Sequence, residues 1–438
     1  MLKAGKLVIK KEWLLHIALF FYFNLFYNIS LYPVWLSSEL EYRLIYCGIV
    51  AIVVMYAVVG YRRNVTSYNI FSFLWIMVLI VYTYRNAALA NESYKLYFAS
   101  FLTPLIVLGF LSLCSNWFQC VCKLFYFFSI EHIVCTWFFF FFPSLLEKYI
   151  IPLYSPDQVG YSKVALKFNY AIGITANYGY NAIYLSFAVL FFTMLVFNKD
   201  NINCSIKKIY ILDILAFGGL ILTGKRGMLI YTVLTICIVF FIYNRKRLAT
   251  MLKKLFTVAI PLLVSVLVLY KSVPEFGTTI NRILAGLKGK DVAMSNRYVM
   301  WNLAKKLYSN NKMFGIGWFG YRYEYNANRI YEKIYESKSL DAHNVFLQLL
   351  CETGITGTVF VGGLILIVLI LSIKLLCNYS NEIIGFAIAL SVAIQIFFIS
   401  MFFTANPLYD IFALYPYSIA VSIMIFCFRK VNDIKKEK

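Results

Sequence analysis

"SLDAHNVFLQLLCETGITG", residues 339–357, marks the place where the longest polar segment of the chain meets an apolar run. That run continues to about residue 376 and is as long as a bilayer-crossing helix, which needs roughly 20 residues. His343 is one of only three histidines in 438 residues and stands just before this boundary. The stretch therefore predicts a membrane helix that is preceded by a polar, histidine-bearing segment.

The composition indicates a membrane protein throughout. Hydrophobic residues make up 61% of the chain and charged residues only 14%, with a mean hydropathy of +0.74, whereas soluble domains carry about 25% charged residues. The apolar runs are continuous rather than alternating, which disfavours a β-barrel. We expect an all-α polytopic integral membrane protein with about twelve transmembrane helices. The predicted spans are 13–32, 44–61, 69–84, 98–114, 120–142, 180–198, 208–223, 226–243, 255–272, 355–376, 383–403 and 411–428.

The distribution of Lys and Arg predicts the orientation. If both termini are cytoplasmic, the inner segments hold 21 of these residues and the short outer segments hold 8, as the positive-inside rule requires. Another 12 lie between Lys271 and Lys338, in a segment too long for the rule to weigh. The first apolar run is long and has no small-residue cleavage site, so we expect no cleavable signal peptide. The prediction is a multi-pass membrane protein with both termini cytoplasmic and one membrane domain over residues 1–438, with no nucleic-acid partner.

Two predicted outer segments, 143–179 and 273–354, are much longer than the other connections. Long loops in compact folds are usually functional or disordered. The second segment is rich in Tyr, Trp, Phe, Ile and Leu, so it can fold and pack. We expect a partly helical outer loop between spans nine and ten that folds and carries functional residues.

Within this loop, "SNRYVMWNLAKKLYSNN", residues 295–311, predicts a helix with Ser295 as its N-cap. Its apolar face consists of Met300, Leu303, Ala304 and Leu307. Arg297, Trp301 and Lys305 recur every four residues on another face. The helix either lies on lipid headgroups or points Arg297 into a cavity that binds an anion.

The next motif, "FGIGWFGY" at 314–321, contains G-x-G-x-x-G. A dinucleotide site is not expected, because no strand is predicted before it and no helix after it. We expect the glycines to form a tight turn where the backbone approaches the membrane surface or a ligand. Trp318 either stacks on a sugar ring or anchors the loop at the membrane interface.

The opening stretch predicts a helix capped by Asp341, starting at Ala342 and ending at Gly354. His343 then lies in the first turn, where the helix dipole disfavours added positive charge. A neutral imidazole is what a general base needs. The alternative is a histidine that is simply hydrogen-bonded at the interface.

A very short connection, "LTGKRGML" at 222–229, joins two predicted spans. Lys225 and Arg226 stand on the outer side at the N-terminus of the second span. The free N–H groups there already present partial positive charge, so two cations favour a bound anion such as a phosphate. The alternative is a pair of cations that snorkel toward lipid headgroups.

Four motifs in this order, "TGKRG", "NRYVMW", "FGIG" and "AHN" with "ETGITG", resemble the O-antigen ligase and polymerase superfamily over about residues 160–375. The resemblance implies a glycosyltransferase in which Arg226 and Arg297 hold the pyrophosphate of the donor and His343 serves the transfer. Family members often carry an Arg and a Pro-Asn pair in the preceding outer loop, where "LKFNYAIGITANYGYNA" has Lys167 and Asn177 without the proline. The expected substrate-binding residues are Lys225, Asn344, Lys167, Asn177, Trp301 and Trp318.

The implied donor is an undecaprenyl-pyrophosphate-linked glycan. The acceptor is another lipid-linked repeat unit in a polymerase, and a lipid-anchored core sugar or a protein in a ligase. We favour a polymerase of O-antigen, capsular polysaccharide or exopolysaccharide, because such enzymes are numerous and diverge freely.

Membrane lipids and a chain-length regulator are further expected partners. No cofactor or metal is expected, and transfer is expected to proceed with inversion. The nearest substitute for an Asp-x-Asp pair is Glu39 and Glu41.

Two other classes of function stay open. A lipid-linked oligosaccharide flippase or other transporter would use ionisable residues inside spans, and Glu131, His132 and Asp213 are such residues. A scaffold protein would tolerate removal of charge at Arg226 and Arg297. The cysteines are expected to be reduced or buried thiols rather than a disulfide framework.

Overall fold

The computed structural model describes residues 117–198, 205–243, 292–327, 341–379 and 384–437, part of 19–31, and a few isolated positions between 245 and 281. The secondary structure of these residues is helical, and none of them lies in a strand. The predicted all-α class is therefore confirmed for the described residues. The predicted spans 44–61, 69–84 and 98–114 lie outside them, as does nearly all of 255–272.

Five helices form the first half of the described chain: α1 Trp117–Phe141, α2 Pro156–Lys167, α3 Tyr178–Phe197, α4 Ile206–Leu222 and α5 Arg226–Tyr243. Short helical turns over Pro143–Leu145, Leu146–Ile150 and Ile151–Leu153 connect α1 to α2. Local sequence accounts for two of the helix starts. Ser155 and Gln158 form a capping box around Pro156 at the start of α2, and the Asn177 side chain caps α3.

Five more helices complete the described chain: α6 Val292–Asn310, α7 Gly320–Ala327, α8 Val345–Tyr379, α9 Gly385–Ser400 and α10 Ile411–Glu437. A 3₁₀ turn, Met401–Phe403, follows α9. In the part of the chain that the structure describes, six helical segments are long and apolar enough to cross a membrane: Trp117–Phe141, Tyr178–Phe197, Arg226–Tyr243, Val345–Tyr379, Gly385–Phe403 and Phe412–Asn432. All six coincide with predicted spans. Helix α4 matches a seventh, 208–223.

Helices α3 and α9 form the centre of the bundle. Nearly all of their side chains are buried, as expected for helices that are hydrophobic on every side. Helix α3 packs against α1, α4, α5 and α9, while α9 also packs against α8 and α10. The cysteines among the described residues are free thiols, in agreement with the expected reduced state.

Helix α8 is broken at Gly354, where φ is 65° and ψ is −173°. The predicted end of a short helix at this residue is thus confirmed, and the membrane-length part of α8 follows it. The helix begins at Val345 rather than at Ala342, because Asn344 and not Asp341 caps it: the N–H of Leu347 donates to the Asn344 side chain at 3.0 Å.

The loop between α6 and α7 packs on the backbone at this break. Gly317 donates its N–H to the carbonyl of Glu352 at 2.7 Å. A Cβ atom on Gly315 would collide with the backbone of Glu352, and one on Gly354 would collide with the backbone of Met313. Both glycines have positive φ, 64° and 65°. The close approach predicted for "FGIG" is therefore to the protein's own backbone, and a helix does begin at Gly320.

Helix α6 starts at Val292, three residues before the predicted N-cap. Its apolar face is buried as predicted, with Met300 and Leu303 only 3% and 4% exposed. These side chains pack with Tyr321 and Tyr325 of α7 and with the start of α8. Protein rather than lipid headgroups therefore covers the apolar face of α6. The other faces of this helix are turned away from that contact.

We predict that Gly315→Ala destabilises the protein, because the added Cβ meets backbone that cannot move aside and the residue has a left-handed φ. The expected loss is about 1–3 kcal/mol or more, measured as a fall in the apparent Tm of the detergent-solubilised protein. Gly362→Ala in α8 is the matched control, since its Cβ would meet open space. Equal melting temperatures for the two variants would contradict the packing described for this loop.

Candidate active site

The turn between α4 and α5 consists of Thr223, Gly224 and Lys225. Thr223 ties it to α4 by donating its hydroxyl to the carbonyl of Leu220 at 2.7 Å, and its Oγ1 accepts from the N–H of Lys225 at 3.3 Å. Gly224 has a φ of +69°, and a Cβ there would collide with the ring of Tyr170. The turn is therefore tightly fixed, and so is the backbone that carries Lys225.

The side chain of Lys225 lies against the start of α3. Its Nζ is 4.5 Å from the centre of the Tyr178 ring, a cation–π contact. A Cβ on Gly179 would come 3.1 Å from Lys225 Cε, so a glycine keeps this space open. Asn177 accepts the N–H of Gly179 at 2.7 Å as the cap of α3. Asn177 thus stands beside the lysine while its side chain serves the helix.

Burial and the nearby charge of Arg297 together lower the pKa of Lys225 to about 8. Arg297 comes from the second turn of α6 and is half-buried. Trp301 lies one turn further along, edge-on to the ring of Tyr298 at 5.3 Å between centroids. The two basic residues, 72 positions apart in the sequence, therefore meet in one place.

His343 joins this pair. Burial and the charges of Arg297 and Lys225 lower its pKa to about 4, although Asp341 acts in the opposite direction. The imidazole is accordingly neutral at pH 7. The neutral form agrees with the prediction, but its cause is burial and neighbouring cations rather than a position in the first turn of a helix, since His343 precedes α8.

The backbone of His343 has a φ of 51°, a left-handed conformation that costs a non-glycine residue about 1–3 kcal/mol. Hydrogen bonds on both sides hold it. The N–H of Ala342 donates to Gln348 Oε1 at 2.9 Å, and Asn344 caps α8. The imidazole is therefore presented from a fixed loop and not from a regular helix.

An ion pair with α7 holds the same loop in place. Arg322 donates through Nε to Asp341 Oδ1 at 2.6 Å and through Nη2 to Oδ2 at 2.7 Å. Gln348 Nε2 donates to Asp341 Oδ1 at 3.0 Å, and Asn406 Nδ2 donates to Gln348 Oε1 at 2.6 Å. Burial alone would raise the pKa of Asp341, but Arg322 and Gln348 outweigh it and hold that pKa below its usual value.

The result is a concentration of positive charge beside a neutral base. The carboxylate of Asp341 is engaged on both oxygens by Arg322. Between residues that the structure describes, no ion pair involves Lys225 or Arg297. Such a site is suited to an anion such as a phosphate or pyrophosphate, held next to a group that can accept a proton.

The other predicted site residues are placed differently. Arg226 opens α5 and is half-buried, but Lys225 is the residue of the turn whose charge shifts the pKa of His343. Asn344 serves as a helix cap. Trp318 is only 3% exposed and stacks on Tyr409 at 5.2 Å, so this arrangement leaves its ring inside the protein. Lys167, at the end of α2, is exposed.

Residues that the sequence did not single out complete the support of the site. Arg322, Gln348 and Asn406 lie on three separate elements and act on the His343 loop together. Their only sequence signal is that each is a polar residue within an apolar or aromatic stretch. Glu39 and Glu41, the nearest substitute for an Asp-x-Asp pair, lie outside the described residues.

Three ionisable residues lie inside the bundle, away from this cluster in the fold. Glu131 of α1 accepts from Asn28 Nδ2 at 3.3 Å, and Asp213 of α4 accepts from Thr193 at 3.0 Å. His132 packs between the rings of Tyr27 and Tyr184. Polar or aromatic neighbours thus enclose each of them.

Comparison with known proteins shows what the part of the chain around the site is similar to. No curated protein matches the chain. The family model described as O-antigen ligase matches residues 211–362, a range that runs from α4 past the break in α8. Lys225, Arg297 and His343 all fall inside it, whereas Lys167 and Asn177 precede it. This match confirms that the chain is similar to the O-antigen ligase and polymerase superfamily, as its four motifs predict.

Proposed function

We propose that this protein is a membrane glycosyltransferase that takes a glycan from undecaprenyl pyrophosphate and transfers it to an acceptor hydroxyl. The reaction takes place on the outer face of the inner membrane, and both termini are cytoplasmic. One observation carries the proposal: Lys225 and Arg297, from two separate elements, lie close enough to His343 for their charges to lower the pKa of its imidazole. The family match over residues 211–362 supports the same reaction class.

Lys225 and Arg297 bind the pyrophosphate of the donor. Two cations held near each other repel, and a dianionic or trianionic group between them removes that repulsion. Arg226, at the N-terminus of α5, adds charge on the same side of the bilayer. As the glycosidic bond breaks, negative charge grows on the leaving pyrophosphate, and the same cations stabilise it. This arrangement supplies the required positive charge without a metal.

His343 acts as the general base. Its neutral imidazole takes the proton of the acceptor hydroxyl while that oxygen attacks the anomeric carbon of the donor sugar. The bond from this carbon to the pyrophosphate oxygen breaks, and its electron pair stays on undecaprenyl pyrophosphate. Attack from the face opposite the leaving group inverts the anomeric configuration. General-base assistance of this kind contributes roughly 10²–10⁴-fold in rate.

The preferred acceptor is a second lipid-linked repeat unit, which makes the protein a polymerase of O-antigen, capsular polysaccharide or exopolysaccharide. A chain-length regulator is then a natural partner. The second candidate is a ligase that transfers the finished glycan to a lipid core or a protein, and the description of the matched family favours it. Both candidates use the same donor site and the same base.

A transporter would instead depend on Glu131, His132 and Asp213. These residues lie on α1 and α4, whereas the cationic cluster and its supporting hydrogen bonds are built by α6, α7 and α8 around the α4–α5 turn. A flippase has no need for a strained, neutral histidine at that position. The two functions are separated by the variants below.

Deletion of the gene tests the reaction and its acceptor together. Gel analysis of the surface glycan should show single repeat units if the protein is a polymerase. Full-length chains that remain on the lipid carrier would identify a ligase. An unchanged surface glycan would contradict both.

Complementation of that strain tests the proposed site. His343→Ala and Arg297→Ala should each behave like the deletion, with a loss of transfer of about 100-fold or more, measured with purified protein and lipid-linked donor. Lys306→Ala, which removes an exposed cation from the same helix as Arg297, is the matched control and should retain activity. Full transfer by the purified His343→Ala protein would show that His343 is not the base, and a normal surface glycan without transfer by the purified wild-type protein would point to a transporter.

The pH dependence follows from the two shifted pKa values. His343 is deprotonated above its pKa of about 4, so kcat/KM should stay high between pH 5 and pH 7. Lys225 loses its charge as the pH rises through about 8, so kcat/KM should fall above that value. Lys225→Arg should move the alkaline limb upward, because an arginine stays charged beyond about pH 12. An alkaline limb that is the same in both proteins would belong to another group.

The Arg322–Asp341 pair should be coupled in a double-mutant cycle. Loss of one partner leaves a buried charge unpaired, which typically costs about 3–5 kcal/mol. We expect Asp341→Ala and Arg322→Ala each to lower the apparent Tm and kcat, and the double variant to lose less than the sum of the two. Strict additivity in both measurements would show that the ion pair does not hold the His343 loop.

A further inference from the structure

A cavity of about 810 Å³ lies between the end of α1, the turns that follow it, and α2. Three consecutive phenylalanines, Phe139, Phe140 and Phe141, line it together with Leu146 and Leu166. Lys163 and Lys167, on either side of Leu166 in α2, also line it and are exposed at its rim. The lining therefore combines an apolar wall with a basic rim.

The surroundings of the cavity are those of a membrane interface. Phe141 and Phe142 at the end of α1 are 65% and 52% exposed. Helix α2 exposes Tyr161, Val164 and Phe168 beside its lysines, a combination typical of a helix that lies at the level of lipid headgroups. An occupant can thus keep a long apolar chain along the phenylalanines while its polar end stays near the lysines.

The charge of the rim favours an anion. Lys163 and Lys167 are four residues apart, so they project from the same face of α2. Glu147 is the acidic residue that lines the cavity, and no ion pair joins it to either lysine among the described residues. The three side chains together leave a net charge of +1, next to an apolar wall.

This cavity is in contact with the candidate active site. Tyr170 lines it and stacks on Tyr178 with 4.8 Å between ring centroids. Lys225 lies over the ring of Tyr178, and Gly224 packs on Tyr170. Two stacked tyrosines therefore join the cavity to the residues that are proposed to bind the donor.

We propose that this cavity is a second lipid site, which binds a phosphate-bearing lipid with its chain along Phe139–Phe141 and its phosphate at Lys163 and Lys167. Two lipids share this chemistry: an ordinary anionic phospholipid and the polyprenyl carrier of an acceptor glycan. Lipid binding does not require the transfer reaction, whereas the acceptor role rests on the proposed function. Transfer needs two substrates at once, and the cavity is where the second would lie beside the first.

Lipid titration of the purified full-length protein, followed by native mass spectrometry, tests the site. The probes are undecaprenyl monophosphate, phosphatidylglycerol and, as a lipid without net charge, phosphatidylcholine. Lys163→Ala/Lys167→Ala should weaken binding of the two anionic lipids about thirtyfold, on the basis of the usual contribution of a lysine at an anionic surface. Lys306→Ala/Lys312→Ala, which removes two exposed lysines elsewhere, should leave their affinity unchanged.

Glu147→Gln provides a test in the opposite direction, because the exposed side chain is dispensable for packing. Removal of its negative charge should strengthen binding of both anionic lipids a few-fold. Equal affinities of the Lys163/Lys167 variant and the Lys306/Lys312 control would overturn the proposal. So would binding of phosphatidylcholine as tightly as the anionic lipids.

The preferred lipid then identifies the role of the site. Tighter binding of undecaprenyl monophosphate assigns it to the acceptor, and the Lys163/Lys167 variant should then show a raised KM for the acceptor with an unchanged KM for the donor. Equal binding of phosphatidylglycerol assigns it to a bilayer phospholipid. Arg297→Ala should leave lipid binding here intact, so a failure of the transfer proposal and a failure of this one give different results.

Discussion

The ion pair between Arg322 and Asp341 determines which charges around the site have a counter-charge and which do not. It engages both oxygens of Asp341, the carboxylate that raises the pKa of His343. That carboxylate is therefore not available to neutralise Lys225 or Arg297. Through Gln348 the same pair reaches the backbone of Ala342. One interaction thus leaves the positive charge of the site uncompensated and holds the left-handed loop that presents the imidazole.

The features that depend on the local pattern of residues could be predicted from the sequence. Continuous apolar runs predict the membrane-length helices, because the residues of α3 and α9 are apolar on every side. The break at Gly354 was predictable because glycine reaches positive φ without strain. The buried face of α6 followed from its helical spacing. The turn that carries Lys225 could be placed because very few residues separate two runs that must each form a helix.

Features that depend on distant contacts were not predictable. Asp341 and Asn344 are both good N-caps. Asn344 caps α8 because Asp341 is bound by Arg322, which lies on α7 and outside the local sequence. Asn406 supports Gln348 from 58 residues away. Which of Lys225 and Arg226 affects His343 depends on the left-handed turn at Gly224. The role of "FGIG" depends on the backbone that it contacts 35 to 40 residues later.

The cations and the imidazole also affect each other in a way that links donor binding to base strength. Burial, together with the charges of Arg297 and Lys225, lowers the pKa of His343 to about 4, so that the imidazole is neutral but a weak base. A pyrophosphate bound between these cations offsets the positive charge that depresses the pKa, so the pKa of His343 rises toward its ordinary value. General-base efficiency is greatest when the pKa lies near the working pH. In the proposed reaction, donor binding therefore strengthens the base that activates the acceptor, and in the absence of donor the same histidine has little tendency to take a proton from a hydroxyl.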